Sequence, residues 1–169
     1  MPTIGFPNYV KARDYALSVF AENRLVEPPV IAADLAKKYG LTIIVAEFEG
    51  GDAESVSGFL VAQKKKIVVN HADNARQQNF TIAHELGHYL LGHHRVKNYD
   101  AMYSVLLRDT RSMEQTWLER EANCFADNLL VPEELLREYI RKSPTLTNPQ
   151  LAYIFGVPEN VIAGRRMRN

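Results

Sequence analysis

The sequence predicts an α+β fold, and three observations carry that prediction. Three short segments rich in β-branched residues fall between residues 41 and 70. Flanking segments place apolar side chains at the three- and four-residue spacing of helices facing a core. Gly and Pro stand at the junctions between them.

Taken in order, residues 8–26 carry Tyr9, Ala12, Ala16 and Phe20 at helical spacing, and Pro28-Pro29 ends that helix. Pro29 suits the first turn of a second helix, with Ile31, Leu35 and Tyr39 on one side and Gly40 as its stop. Leu41–Phe48 reads as a strand, followed by a Gly-Gly loop over 49–55. Gly58–Gln63 and Lys66–Asn70 read as two more strands around a lysine-rich turn, giving a small three-stranded sheet. From Phe80 the pattern is helical, with Asn79 or Thr81 as candidate caps and Gly92 as the stop. Residues 93–111 read as a long loop. Ser112 and Gln115 fit a capping box for a helix carrying Leu118, Ala122, Phe125, Ala126 and Leu129 up to Pro132, where a short helix over 132–142 begins.

The chain has 169 residues, 46% of them hydrophobic, enough for one sizeable core. Twenty basic residues balance twenty acidic ones, so overall charge selects neither nucleic acid nor a membrane surface. The single cysteine, Cys124, excludes an internal disulfide and a Cys-rich metal cluster. No stretch approaches the roughly 20 apolar residues of a membrane span, and no secretory leader is evident, so a cytoplasmic location is expected.

The chemistry concentrates at His84-Glu85-Leu86-Gly87-His88, an HExxH pentad. On a helix, residues four apart lie one turn above each other, so two imidazoles can close on one metal ion. Glu85 lies roughly 100° further round, placed to act on water as a general base rather than as a ligand. A catalytic zinc usually takes a third protein ligand, for which three candidates follow. His94 mimics the spacing of a third histidine, but that pattern needs Gly at 91, where this chain has Leu, with Gly at 92. Glu119 and Glu121 lie on the later helix. Glu119 is favoured because Asn123 falls one turn on, within about 60° on the same face, and can orient a metal-bound histidine. Glu121 is the alternative; it has only Cys124 and Phe125 one turn on. Transition-state stabilisation needs a further donor, for which Tyr99, Tyr103, His93 and His94 are available. Lys66–Asn70 could accept an extended substrate if it forms a free sheet edge.

These two helices resemble the ImmA/IrrE family of zinc metallopeptidases. The resemblance rests on FTIAHELGHYLLGH and on the E-x-x-A-N-x-F-A-x-x-L-L-x-P pattern met at Glu119, Ala122, Asn123, Phe125, Ala126, Leu129, Leu130 and Pro132. It covers roughly residues 25 to 165; Val131 departs conservatively from the common Met. It implies a gluzincin-like metallopeptidase fold in which His84, His88 and Glu119 hold Zn2+ and Glu85 is the base. Mn2+ or Fe2+ could occupy such a donor set. Family members cleave helix-turn-helix repressors of phage, mobile elements or stress regulons, and others sit in toxin–antitoxin-like operons, so a protein partner of that kind is implied.

Residues 147–168 fit two short helices around Phe155-Gly156-Val157, in the manner of a helix-turn-helix, and end in Arg165, Arg166 and Arg168. A basic end on a neutral protein is usually solvated, so a packing or substrate-recognition role is preferred to DNA contact. The expected organisation is a metallopeptidase domain over 1–142 with a helical extension over 143–169 packed on it. Three functions follow: a zinc endopeptidase acting on a repressor, a non-catalytic regulatory or antitoxin-like protein with a structural metal site, and a DNA-binding regulator using the tail.

Overall fold

In the computed structural model the described residues are 6–50, 56–96 and 113–167, with backbone alone over 113–116. They form seven α-helices and a three-stranded sheet: α1 (Tyr9–Glu22), α2 (Ala32–Lys38), β1 (Thr42–Ala46), β2 (Gly58–Val61), β3 (Lys66–Asn70), α3 (Ala75–Leu91), α4 (Met113–Leu130), α5 (Glu133–Lys142), α6 (Asn148–Phe155) and α7 (Glu159–Met167). The mixed α+β class is as the sequence predicts. The capping box expected at Ser112 and the tyrosines at 99 and 103 lie outside the described residues.

Helix α1 buries Ala12, Ala16 and Val19, small enough to let α4 lie close against it. Helix α2 begins three residues later than its prolines suggest. Val30 is buried and its carbonyl is held by Asn79, so this stretch is tied to α3 instead of starting a helix. Ile31, expected on the inner face, is about half exposed.

The sheet order is β1-β3-β2. β3 pairs in parallel with β1 (Thr42↔Lys66 to Ala46↔Asn70) and antiparallel with β2 (Gly58↔Val69 to Val61↔Lys66). The condition for strand addition at Lys66–Asn70 is not met: it is the central strand, with Ile67 and Val69 fully buried, and its backbone is paired on both sides. Gly58 lets the sheet lie directly on α3. A Cβ there would come within 2.5 Å of the Val68 carbonyl and 2.6 Å of Thr81 Cγ2.

Helix α3 is capped by Asn74, whose side chain accepts from the amides of Arg76 and Gln77, and ends at Gly92 with φ +78. Neither Asn79 nor Thr81 is the cap. Asn79 instead accepts from the Ala32 amide and donates to the carbonyls of Val30 and Gly156, at 2.9 to 3.0 Å. One side chain thus joins the start of α2, the middle of α3 and the turn after α6. Thr81 is buried under β2.

The C-terminal helices share the main core, through Leu151, Ala152, Phe155, Val157, Val161 and Ile162. Arg165 is 6% exposed and donates to Asn128 Oδ1. Arg166 donates to Asn148 Oδ1 and to the Leu146 carbonyl. Arg165 and Arg166 are bonded within the protein, which corrects the expectation of a solvated end at those two positions; Arg168 lies outside the described residues. Among the described residues no helix is long and apolar enough to cross a membrane.

Candidate metal centre

Two helices build the site. α3 presents His84, Glu85 and His88, and α4 lies across it with Glu119, Glu121 and Asn123. Close approach is possible because Gly87 has no side chain: a Cβ there would sit 2.9 to 3.2 Å from three carbons of Phe125, which is itself fully buried. Ala122, also fully buried, adds no bulk to α4. The pentad's glycine is therefore a packing requirement, which sequence spacing alone did not single out.

The nitrogens converge. His84 Nε2 and His88 Nε2 are 3.0 Å apart, with Glu119 Oε2 3.2 Å from the first and Glu119 Oε1 3.3 Å from the second. The three side chains form a group able to hold a metal ion. Ligands about 2.0–2.1 Å from a tetrahedral zinc lie about 3.4 Å from one another, close to these separations. The far nitrogen of His84 is already committed: Nδ1 lies 2.9 Å from Asn123 Oδ1, an acceptor, so Nδ1 carries a proton and Nε2 is the nitrogen that faces the cluster.

Electrostatics fit a cation as well. Burial lowers the pKa of His84, but the Glu119 hydrogen bond and charge, with Glu85 and Asn123, outweigh it and raise the pKa to about 9. At His88 burial prevails, aided by the charges of His84 and His93 and opposed by Glu119, and the pKa falls to about 4. Burial raises the pKa of Glu119, yet its bonds to the two histidines hold its carboxyl well below the usual carboxylate range. The cluster is thus an ionised carboxylate with one neutral imidazole and one that readily takes a positive charge. Glu85 is 2% exposed and close enough for its charge to act on His84.

The remaining candidates go elsewhere. His94 stacks on Tyr89 (ring centroids 5.3 Å apart, 13° between planes) and is not in the cluster. Glu121 turns away from it: Oε2 lies 3.1 Å from His93 Nε2, and Oε1 accepts from the Asn8 amide at 2.6 Å. His93, offered by the sequence only as a possible further donor, is 2% exposed. Its Nδ1 lies 2.9 Å from His88 Nδ1. The reason is the left-handed turn at Gly92, which leads into a short 3-10 turn over His93–Arg95 and folds the ring back under α3.

With this geometry in view, comparison with known proteins decides the lineage. The family model described as the IrrE N-terminal-like domain (Peptidase_M78) matches residues 36–167. The chain belongs to this family of ImmA/IrrE metallopeptidases. Metallopeptidase ImmA of Bacillus subtilis is 31% identical over 113 residues, 65% of this chain and 62% of that protein, so the match spans under two thirds of its relative. A Mycobacterium tuberculosis transcriptional regulator of solved structure superposes with a TM-score of 0.66 at 18% identity, covering 92% of this chain and 46% of the other. That second likeness shows a shared fold. Both helices of the candidate site, and the C-terminal helices to Met167, lie inside the matched region.

Proposed function

We propose that this chain is a cytoplasmic zinc-dependent endopeptidase that cleaves a helix-turn-helix repressor by metal-assisted amide hydrolysis. The observation that supports this reading most is the convergence of His84 Nε2, His88 Nε2 and the Glu119 carboxylate beside a buried Glu85. In the proposal His84, His88 and Glu119 hold the metal. Zn2+ suits a two-imidazole, one-carboxylate set, and Mn2+ or Fe2+ are the other ions it accommodates. When bound, the ion supplies Lewis-acid polarisation of the scissile carbonyl and lowers the pKa of water. Glu85 takes a proton from the attacking water and returns it to the leaving amine. Its burial keeps it close to that chemistry and away from competing bulk water. Asn123 holds the His84 ring in the tautomer that faces the ion.

The repressor substrate follows from the family resemblance, and the C-terminal helices are assigned to packing the 143–169 extension on the 1–142 domain. Use of the tail on DNA has less support, since Arg165 and Arg166 are bonded within the protein. The test is Glu85→Gln. This variant is expected to bind zinc one to one and to leave a cognate repressor uncut, whereas the wild-type protein yields two discrete fragments. Cleavage at the wild-type rate would overturn the assignment of Glu85. Full function of the variant in cells would favour a non-catalytic, antitoxin-like role.

A further inference from the structure

A second line of polar groups runs behind the cluster. From His88 it passes to His93 (Nδ1 to Nδ1, 2.9 Å), from His93 to Glu121 (Nε2 to Oε2, 3.1 Å), and from Glu121 to the backbone amide of Asn8 (2.6 Å). Three separate segments contribute: the end of α3 with its 3-10 turn, the face of α4, and the arm before α1. His88 is 0% and His93 2% exposed, so both rings are shielded from bulk water. The arm is held on the same helix by Phe6, whose ring stacks on Trp117 at 6.0 Å.

With a cation on His88 Nε2, hydrogen-bond chemistry allows this line one direction. Two ring nitrogens 2.9 Å apart share a single proton. If His88 offers the Nε2 lone pair to a cation, its proton sits on Nδ1 and is donated to His93. His93 must then accept at Nδ1 and carry its own proton on Nε2, where it donates to the Glu121 carboxylate. Glu121, an acceptor only, closes the line, and its other oxygen receives the Asn8 N–H. The reverse direction would aim an N–H of His88 into the cluster. An ionised carboxylate at 121 therefore selects the tautomer of a histidine two bonds away.

We propose that His93 and Glu121 are positioning residues that lock His88 as an Nε2 donor to the metal, with the N-terminal arm latching Glu121 through Asn8. This rests on the metal-binding reading above and gives each of the two histidines its own support: Asn123 for His84, and the His93–Glu121 pair for His88. Removing a group that orients a metal-bound histidine costs about 10- to 100-fold in metal affinity.

The experiment uses the full chain and zinc alone, with affinity read by chelator competition. His93→Leu, which offers His88 no acceptor, is expected to weaken zinc binding by about 10- to 100-fold. His93→Asn keeps an amide oxygen near the Nδ1 position and is expected to recover most of that loss. Packing alone would not separate the two, so equal affinities for the Leu and Asn variants would overturn the proposal. Nitrogen-15 NMR of the zinc-loaded wild type gives an answer that needs no variant to fold. It should show His88 protonated at Nδ1 and His93 at Nε2; a His93 protonated at Nδ1 would overturn the proposal. Failure of wild-type protein to bind zinc would sink the metal-binding reading, and this inference with it. Tight wild-type binding with unaltered His93→Leu affinity would sink this inference alone.

Discussion

Gly87→Ala probes the contact that brings the two halves of the site together. The added Cβ would lie 2.9 Å from Phe125 Cδ1, 3.1 Å from Cγ and 3.2 Å from Cβ. Carbon pairs are comfortable at about 3.5–4.0 Å, so the helices must part, or Phe125 must shift, by roughly half an ångström. Ring rotation does not clear the clash, because the Phe125 Cβ is among the atoms met and the side chain is fully buried. Overpacking of this kind costs about 1–3 kcal/mol. Alanine returns about 1 kcal/mol through its better helix propensity. The balance is a destabilisation of about 1 kcal/mol, read as a Tm lowered by roughly 2–4 °C in a chain of this size. The effect on metal binding should be larger. Moving α4 stretches the 3.2 and 3.3 Å approaches of Glu119 to the two histidines, and zinc affinity is expected to fall at least tenfold, about 1.4 kcal/mol. Thermal melts of the metal-free protein and chelator-buffered zinc titrations measure the two effects separately. Phe125→Leu added to Gly87→Ala should recover part of the zinc affinity by relieving the crowding. A Gly87→Ala protein that is more stable than wild type and binds zinc as tightly would refute the packing argument.

Zinc affinity should depend on pH with a definite sign. His84 has its pKa raised to about 9, so below that pH a proton must leave before a cation can bind. Apparent affinity is expected to rise about tenfold per pH unit between 6 and 8 and to level off above 9; the low pKa of His88, about 4, adds no slope in that range. A titration series with the same slope at no pH, flat from 6 to 8, would contradict the charge distribution. Asn79→Ala removes three hydrogen bonds linking α2, α3 and the turn after α6, and should cost about 2–3 kcal/mol by denaturant unfolding. The same substitution at Tyr153, 80% exposed, should change stability by less than about 0.5 kcal/mol.

Elements whose signals are local were legible in the sequence. The HExxH helix shows in the run from Ile82 to Leu90 and in its Gly92 stop, because both the apolar stripe and the left-handed cap are set by neighbouring residues. β3 was placed to the residue, while β1 and β2 came out shorter than their apolar runs, since a strand ends where its partner does. The convergence of Glu119 with the pentad, and of Asn123 with His84, followed a helical-face argument that needs only 100° per residue. Caps were less legible. Asn74, Asn79 and Thr81 are all suitable for starting a helix, and long-range contacts assigned them three different tasks. The burial of His93 was not legible, because it depends on the turn at Gly92 folding back beneath α3, which no spacing rule reports.

By itself the sequence determined that a helix would stack His84 over His88 with Glu85 beside them, and that a second helix would carry a carboxylate with an amide one turn on. Periodicity is a property of the backbone, so those relations survive in any fold that keeps the helices. Only the tertiary structure decided that β3 is central, that Gly87 is the point where α4 presses in, and that Glu121 serves His93. Each of these depends on which surfaces meet. The line from Asn8 to His88 joins residues 113 positions apart at Asn8–Glu121 and 28 apart at His93–Glu121, and only packing brings them within hydrogen-bond reach.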